Sequence, residues 1–369
     1  MSKTSELRFV LADTHNEHEL RKLLRDNPLH GSIRVALERE PDAFHGAAIS
    51  GDRFDLIMGY GDNGRRLLGA GARFELDAWI NGRVQRMGYL GEFRIDGGLK
   101  QRRHLLLNSY RALRRYHETG STPFYMTTIV EDNTTTRRLL ERKLGDMPTY
   151  EPLESMITFT IPARLGARRS SRRVDTARDY TEIAALLATH GAKHQFHPAW
   201  TGETLASPAR CRDLSVDHFG LCHDGGHLKG CLALWDQRRF KQTVISGYTG
   251  SLQKVRPFFN LVAPLLGRPR LPAPGAQLES AFLSHVAVAP DDGETLVALV
   301  ADACRKALAR GIDYVMLAFA KRNPLAGILE KRFPTHSYVS VIYVVYWEDG
   351  KAAATELDGR MPHPEMAIL

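Results

Sequence analysis

The chain has 369 residues, a formal net charge of +8 and an apolar fraction of 43%. That is enough chain for two cores, in the composition of an ordinary soluble globular protein, which excludes a disordered or collagen-like one. Charge alone would suggest nucleic acid as a partner, but five arginines and no acidic residue fall within residues 163–173, and the remainder is close to balance.

That Gly/Ser/Arg segment reads as an exposed linker; the alternative is a patch that meets phosphate on a donor, RNA or a partner. Cys211, Cys222, Cys231 and Cys304 include no CxxC pair, so no disulfide framework is expected. Neither a signal peptide nor an apolar run of spanning length is found, and the expectation is a cytoplasmic protein without a membrane span.

Residues 7–11 read as a strand, and Asn16 caps a helix whose apolar face carries Leu20, Leu23 and Leu24. Residues 55–58, 67–74 and 79–87 read as strands separated by turns at 61–64 and at Asn81-Gly82. Residues 88–96 are a short apolar and aromatic strand stopped by Gly97-Gly98, followed by the basic loop 100–104. Over 105–118, Leu106, Leu107, Tyr110, Leu113 and Tyr116 recur at helical spacing. Residues 123–130 are a second strand, after which Asn133 caps a helix carrying Leu139 and Leu140. A right-handed crossover of this length makes the two strands parallel. Residues 155–161 read as the closing strand.

Beyond the linker the same order returns. Residues 282–289 match 89–96 at an offset of 193, and 323–329 match 133–139 at an offset of 190. A helix at 295–309 and a strand at 314–319 lie between these landmarks, and 338–346 is the last strand. An insertion at 247–277, with Pro257, Pro264, Pro269, Pro272 and Pro274, reads as a lid or an interface. The expected fold is α+β: two tandem units, 1–162 and 174–369, joined by 163–173. Each is a mixed, mostly antiparallel sheet flanked by helices, with a central parallel pair.

The strand, loop, helix and second strand ending near Asn133 resemble the acetyl-CoA-binding core of the GNAT N-acetyltransferases. The resemblance implies that acetyl-CoA or another acyl-CoA lies where the parallel strands splay, with its pyrophosphate on the helix N-terminus. It places Phe93, Arg94 and Ile95 of the strand, Lys100, Gln101, Arg102, Arg103, His104 and Leu105 of the loop, and Asn133 around the donor. The family's loop glycines are absent here, which puts Arg102 and Arg103 forward as direct phosphate ligands. The matching loop of the second unit, 290–294, is acidic and repels a pyrophosphate.

The implied function is N-acyl transfer from acyl-CoA to a small-molecule or peptidyl amine by direct attack, in a monomer or homodimer without a metal cofactor. Nucleic acid is not the expected partner. Glu92 is the candidate base, although Arg94 on the same strand face offers it a structural ion pair. His285 fills the equivalent slot in the second unit. The family's tyrosine acid is replaced by Leu140, so Tyr125 on the neighbouring strand is the substitute, unless it only packs. His190, His194 and His197, and separately Cys222, His223, His227 and Cys231, have metal-like spacing but read as cleft lining and hairpin. Two other readings stay open: a degenerate pair that binds a donor without turnover, and a transferase whose donor is carried by tRNA or a carrier protein.

Overall fold

A computed structural model describes residues 7–29, 33–96, 102–168, 170, 172–266 and 269–369, without the side chains of Arg102 and Pro264. The first half runs β1 (Arg8–Leu11), α1 (Glu17–Asp26), β2 (Ile33–Glu38), α2 (Ala43–Ser50), β3 (Arg53–Gly61), β4 (Arg66–Ile80), β5 (Arg83–Ile95), α3 (Arg102–Glu118), β6 (Tyr125–Val130), α4 (Thr134–Glu141) and β7 (Thr149–Pro162). Next come α5 (Ala163–Gly166), β8 (Asp175–Thr176), α6 (Thr181–Gly191), β9 (His194–Gln195), β10 (His197–Pro198), α7 (Gly202–Ala206), β11 (Phe219–Asp224), β12 (His227–Trp235) and β13 (Gln242–Tyr248). The chain ends with α8 (Gly250–Val262), β14 (Ser280–Val288), α9 (Gly293–Ala309), β15 (Tyr314–Ala320), α10 (Pro324–Arg332), β16 (His336–Tyr346), α11 (Lys351–Thr355) and β17 (Met361–Pro362).

Local sequence explains the long central hairpin. Asn81 and Gly82 sit at φ of 52° and 76°, the backbone a two-residue turn requires, so β4 and β5 pair from Ile80↔Arg83 outward. The runs 79–87 and 88–96, expected as separate strands, are therefore parts of this hairpin. Gly88 does not break β5, because the ring of Tyr125 fills its side-chain space: a Cβ at Gly88 would lie 2.2 Å from that ring.

Among the described residues thirteen strands form one sheet in the order β1-β3-β4-β5-β6-β16-β7-β15-β14-β12-β11-β8, with β10 on β4. It is mostly antiparallel, with parallel pairs β5/β6 and β14/β15. The closing strands do not close their own halves. β16 lies between β6 and β7, antiparallel to both (Ser340↔Val130, Tyr346↔Thr149), and β7 continues onto β15. Val341 to Val345 are buried throughout, as a strand covered on both faces requires. A second bond between the halves is the ladder of β2 with β13, from Ile33↔Tyr248 to Glu38↔Gln242.

Both halves carry the same local device. β5 and β6 pair only at Gly88↔Tyr125 and Tyr89↔Met126 before they diverge; β14 and β15 pair only from Ser280↔Tyr314 to Phe282↔Met316. Next to each opening is a bulge: β5 sets one extra residue against Ala70–Ala72 of β4, and β14 sets one against Cys231–Ala233 of β12. The bulged strands hold Glu92 at φ 54° and His285 at φ 53°, a conformation that L-residues adopt only under constraint.

Of the segment 163–173, the described residues 163–168 and 172 make packing contacts and ion pairs that an exposed linker would lack. α5 packs so closely on α9 that a Cβ at Gly166 would lie 2.4 Å from Cys304 Sγ. The Arg168 guanidinium stacks on Phe333, and Arg172 donates to Asp292 at 3.0 Å. The proline-rich insertion contains α8, with Val255, Phe258, Leu261, Leu265 and Leu266 exposed on it and just beyond. Among the described residues no helix is long and apolar enough to cross a membrane.

The exchange makes a prediction about cutting the chain. Fragments 1–173 and 174–369, produced separately, are each expected to lack cooperative unfolding, and to co-purify as a one-to-one complex when produced together. A sharp thermal transition from either fragment alone would show that the exchanged strands are dispensable.

Candidate active site

The first opening begins at Tyr89 and Met126, the last paired residues of β5 and β6. Just beyond them the Thr127 hydroxyl donates to the Leu90 carbonyl at 2.7 Å, replacing a ladder bond where the strands part. Of the residues expected around a donor, Phe93 is 41% exposed, Arg94 donates to the Phe93 carbonyl at 2.8 Å, and Ile95 pairs with Gly69. Lys100 and Gln101 lie outside the described residues, as does the side chain of Arg102. Arg103 and His104 are exposed in the first turn of α3, and Leu105 is buried. Asn133 accepts the Thr136 N–H at 3.3 Å as the cap of α4.

Glu92 pairs with Arg39, not with Arg94. Oε1 accepts from Nε of Arg39 at 2.7 Å and lies 2.7 Å from Nη2 as an ion pair, and Arg39 is 5% exposed. Beside this pair stands Lys241, whose ammonium is pushed down to about 7 by burial, with the charge of Arg39 adding and that of Glu92 opposing. Lys241 Nζ donates to the carbonyl oxygens of Ala367 at 3.2 Å and Leu369 at 3.1 Å. Pro364, Glu365, Ile368 and Leu369 then line a cavity of about 10 Å³ with Ser50, Leu76, Met87, Tyr89 and Met126. It sits at the apex of the opening and has room for about one water.

Tyr125 belongs to a different network. Its hydroxyl accepts from Arg73 Nε at 2.9 Å and meets His117 Nδ1 at 2.9 Å. Arg73, wholly buried, also pairs with Asp55 at 2.6 Å and with Glu75. Burial pushes the phenol up to about 12. Glu92, Tyr125 and His285 thus sit in three separate networks.

The second opening is filled by the chain itself. The backbone N–H of His285, at the bulge, donates to the Glu365 carboxylate at 2.6 Å, and burial raises Glu365 to about 7. The His285 ring bonds Ser284 at 2.9 Å through Nδ1 and packs on Trp200, Phe219 and Trp235. Burial depresses its pKa to about 3. At the start of α9, Asp292 accepts the Thr295 N–H at 3.2 Å and holds Arg172. Carboxylates therefore occupy both positions at which a thioester carbonyl and a pyrophosphate would need donors.

Arg39, Lys241 and Glu365 escaped the sequence reading because the partners that matter are distant in the chain: Arg39 and Glu92 are 53 residues apart, Glu365 and His285 80, and Lys241 and Leu369 128. No local spacing marks such pairs. Cys222, His223, His227 and Cys231 do not converge: the cysteines are buried and His223 bonds Glu182 at 3.0 Å. His190 and His194 do converge, on His363, which no spacing pattern includes.

No family model matches the sequence, and no curated protein sequence does either. In three dimensions the chain is similar to the N-myristoyltransferase of Saccharomyces cerevisiae with bound myristoyl-CoA. The TM-score is 0.60 at 11% identity, over 94% of this chain and 85% of that one. A second structure of that enzyme with myristoyl-CoA gives 0.59 at 11% identity, over 94% and 79%. The chain therefore has the fold of N-myristoyltransferase, with the strands of its two halves in one sheet.

Proposed function

We propose that the chain is an N-acyltransferase that takes acyl-CoA into the opening between β5 and β6 and passes the acyl group to an amine by direct attack. The observation that carries this reading is the asymmetry of the two openings. Both have the bulge, but at the second the carboxylates of Glu365 and Asp292 take the backbone donors, whereas at the first the same C-terminal segment only lines a small cavity. Backbone amides beside the Glu92 bulge would face the developing oxyanion, and the start of α3 with Arg103 would face the pyrophosphate. The neutral amine attacks the thioester carbonyl and the C–N bond forms, Glu92 takes the proton that the nitrogen loses, the C–S bond breaks, and Glu92 hands that proton on to the departing thiolate, so that CoA leaves as its thiol. Arg39 fixes Glu92 through Oε1, leaving Oε2 for that proton. His285 and Tyr125, both buried in their own networks, are assigned packing roles.

The same engagement of Glu92 by Arg39 favours a second reading, a donor-binding protein without turnover. Glu92→Gln separates the two. As a base, its loss is expected to lower turnover by a factor on the order of 10² to 10⁴ while donor affinity survives; retained turnover at neutral pH removes Glu92 from the chemistry. A setting that keeps the four free, buried cysteines reduced, such as the cytoplasm, suits the chain.

We read the donor as acetyl-CoA or another short acyl-CoA, because the apical cavity as it stands leaves no space for a long chain, with a small-molecule or peptidyl amine as acceptor. Titration calorimetry with acetyl-CoA and myristoyl-CoA tests this. Each buried methylene adds about 0.8 kcal/mol, so a myristoyl chain that found a tunnel would bind orders of magnitude more tightly. Affinities within about tenfold of each other are expected, and a far tighter myristoyl-CoA would overturn the short-chain reading.

Lys241 predicts a pH dependence. An ordinary lysine loses its proton near 10.5 and this one near 7, so between those values the unfolded chain binds a proton that the folded chain does not. Stability from this group therefore rises with pH across that window, and the cost of burying the ammonium is fully present below it. Urea midpoints from pH 7 to pH 10 should rise less steeply in Lys241→Met than in the parent; identical slopes would mean that Lys241 keeps an ordinary pKa.

A further inference from the structure

Four histidines collect where three segments of the chain meet. His190 ends α6, His194 lies in β9, His197 in β10, and His363 directly follows β17. β9 and β17 run parallel, Met361↔His194 and Pro362↔Gln195, and the His363 N–H donates to the Gln195 carbonyl at 2.8 Å. The backbone therefore brings residues 169 to 173 positions apart into one cluster.

Its geometry is that of a ligand set. His190 Nε2 and His363 Nδ1 are 3.0 Å apart, close to the ~3.3 Å between nitrogens of a tetrahedral zinc with ~2.05 Å bonds. The His190 and His194 rings stack at 4.2 Å, and the His363 ring lies 5.1 and 5.2 Å from them. One ring nitrogen from each of the three lies within 4.8 Å of the other two. The outer bond is also in place. His194 Nδ1 donates to the His190 carbonyl at 2.8 Å, which fixes the tautomer and leaves the Nε2 lone pair for a metal, the arrangement that orients histidine ligands. The bonds within the cluster run to carbonyls and to other rings, and burial keeps such imidazoles neutral, the form that ligates.

We propose that His190, His194 and His363 bind one divalent transition-metal ion, zinc being the best fit, and that this ion fastens the C-terminal segment to α6 and β9. Imidazole nitrogens select zinc, copper, nickel or cobalt over magnesium and calcium. His197, whose ring is 5.3 Å from that of His363, stands beside the set at the fourth side. The fastened segment carries Glu365, which fills the second opening, and Ala367 and Leu369, which hold Lys241. The role is structural, so the proposal stands apart from the acyl-transfer reading.

The full-length chain, stripped with EDTA, reloaded with zinc and desalted, is expected to retain about one zinc by elemental analysis and to melt at a higher temperature than the stripped form. Cobalt in place of zinc should give the intense visible bands of a tetrahedral nitrogen-ligated site, lost on adding zinc. His363→Ala should abolish both signals, whereas His223→Ala, on the β11–β12 hairpin, should keep them. Folded parent protein that retains less than about a tenth of an equivalent, or gives no tetrahedral cobalt spectrum, overturns the proposal. So does a full equivalent of zinc in folded His363→Ala; should that variant not fold, the cobalt spectrum of the parent decides alone.

Discussion

The rest of the structure depends on the ladder that β16 makes with β6 on one side and β7 on the other. Removing it would strip backbone partners from two strands at once and leave the buried run from Val341 to Val345 without cover. Because β7 in turn completes β15, each half is finished by the other. The sheet is continuous for this reason, and one apolar cluster holds Phe74, Met87 and Tyr89 of the first half together with Trp235, Ile342 and Ile368 of the second.

Within that frame the two halves hold the same strained residue in the same place and use it differently. Glu92 and His285 share a left-handed φ within a degree of each other, and a non-glycine residue there costs on the order of 1 kcal/mol or more unless its surroundings enforce it. In the first half a charged pair, Glu92 and Arg39, stands at that position. In the second half the His285 backbone N–H meets Glu365. The buried Arg73, satisfied by Asp55, Glu75 and Tyr125, lies apart from both and stiffens the start of β6; a guanidinium without water needs that many acceptors.

Much of the architecture could be read from local pattern. The Asn81-Gly82 turn, the parallel strands flanking α3 and the repeat at an offset of 193 all rest on signals a few residues long, and that offset pairs Glu92 with His285, the two bulged positions. What stayed hidden was relational. β7 and β16 are both apolar runs, and nothing in either says which edge it joins. The partner of Glu92 looked like Arg94, two residues on, but the bulge turns the strand at that point and Arg39 arrives from another element. His363 became visible only because β17 lies along β9. The arginines at 168 and 172 read as linker because composition does not record that one stacks on Phe333 and the other holds Asp292.

The exchanged strands also set a timetable for synthesis. Val130 of β6 waits for Ser340, 210 residues later in the chain, so at a translation rate of roughly 5–20 residues per second the first half carries an unpaired edge for on the order of ten seconds or more. Contacts so distant in sequence make for slow folding, and through that interval the exposed side of β6, ending in Val130, is a template for any other strand. A nascent chain of this kind depends on whatever shields such an edge until the last strand arrives.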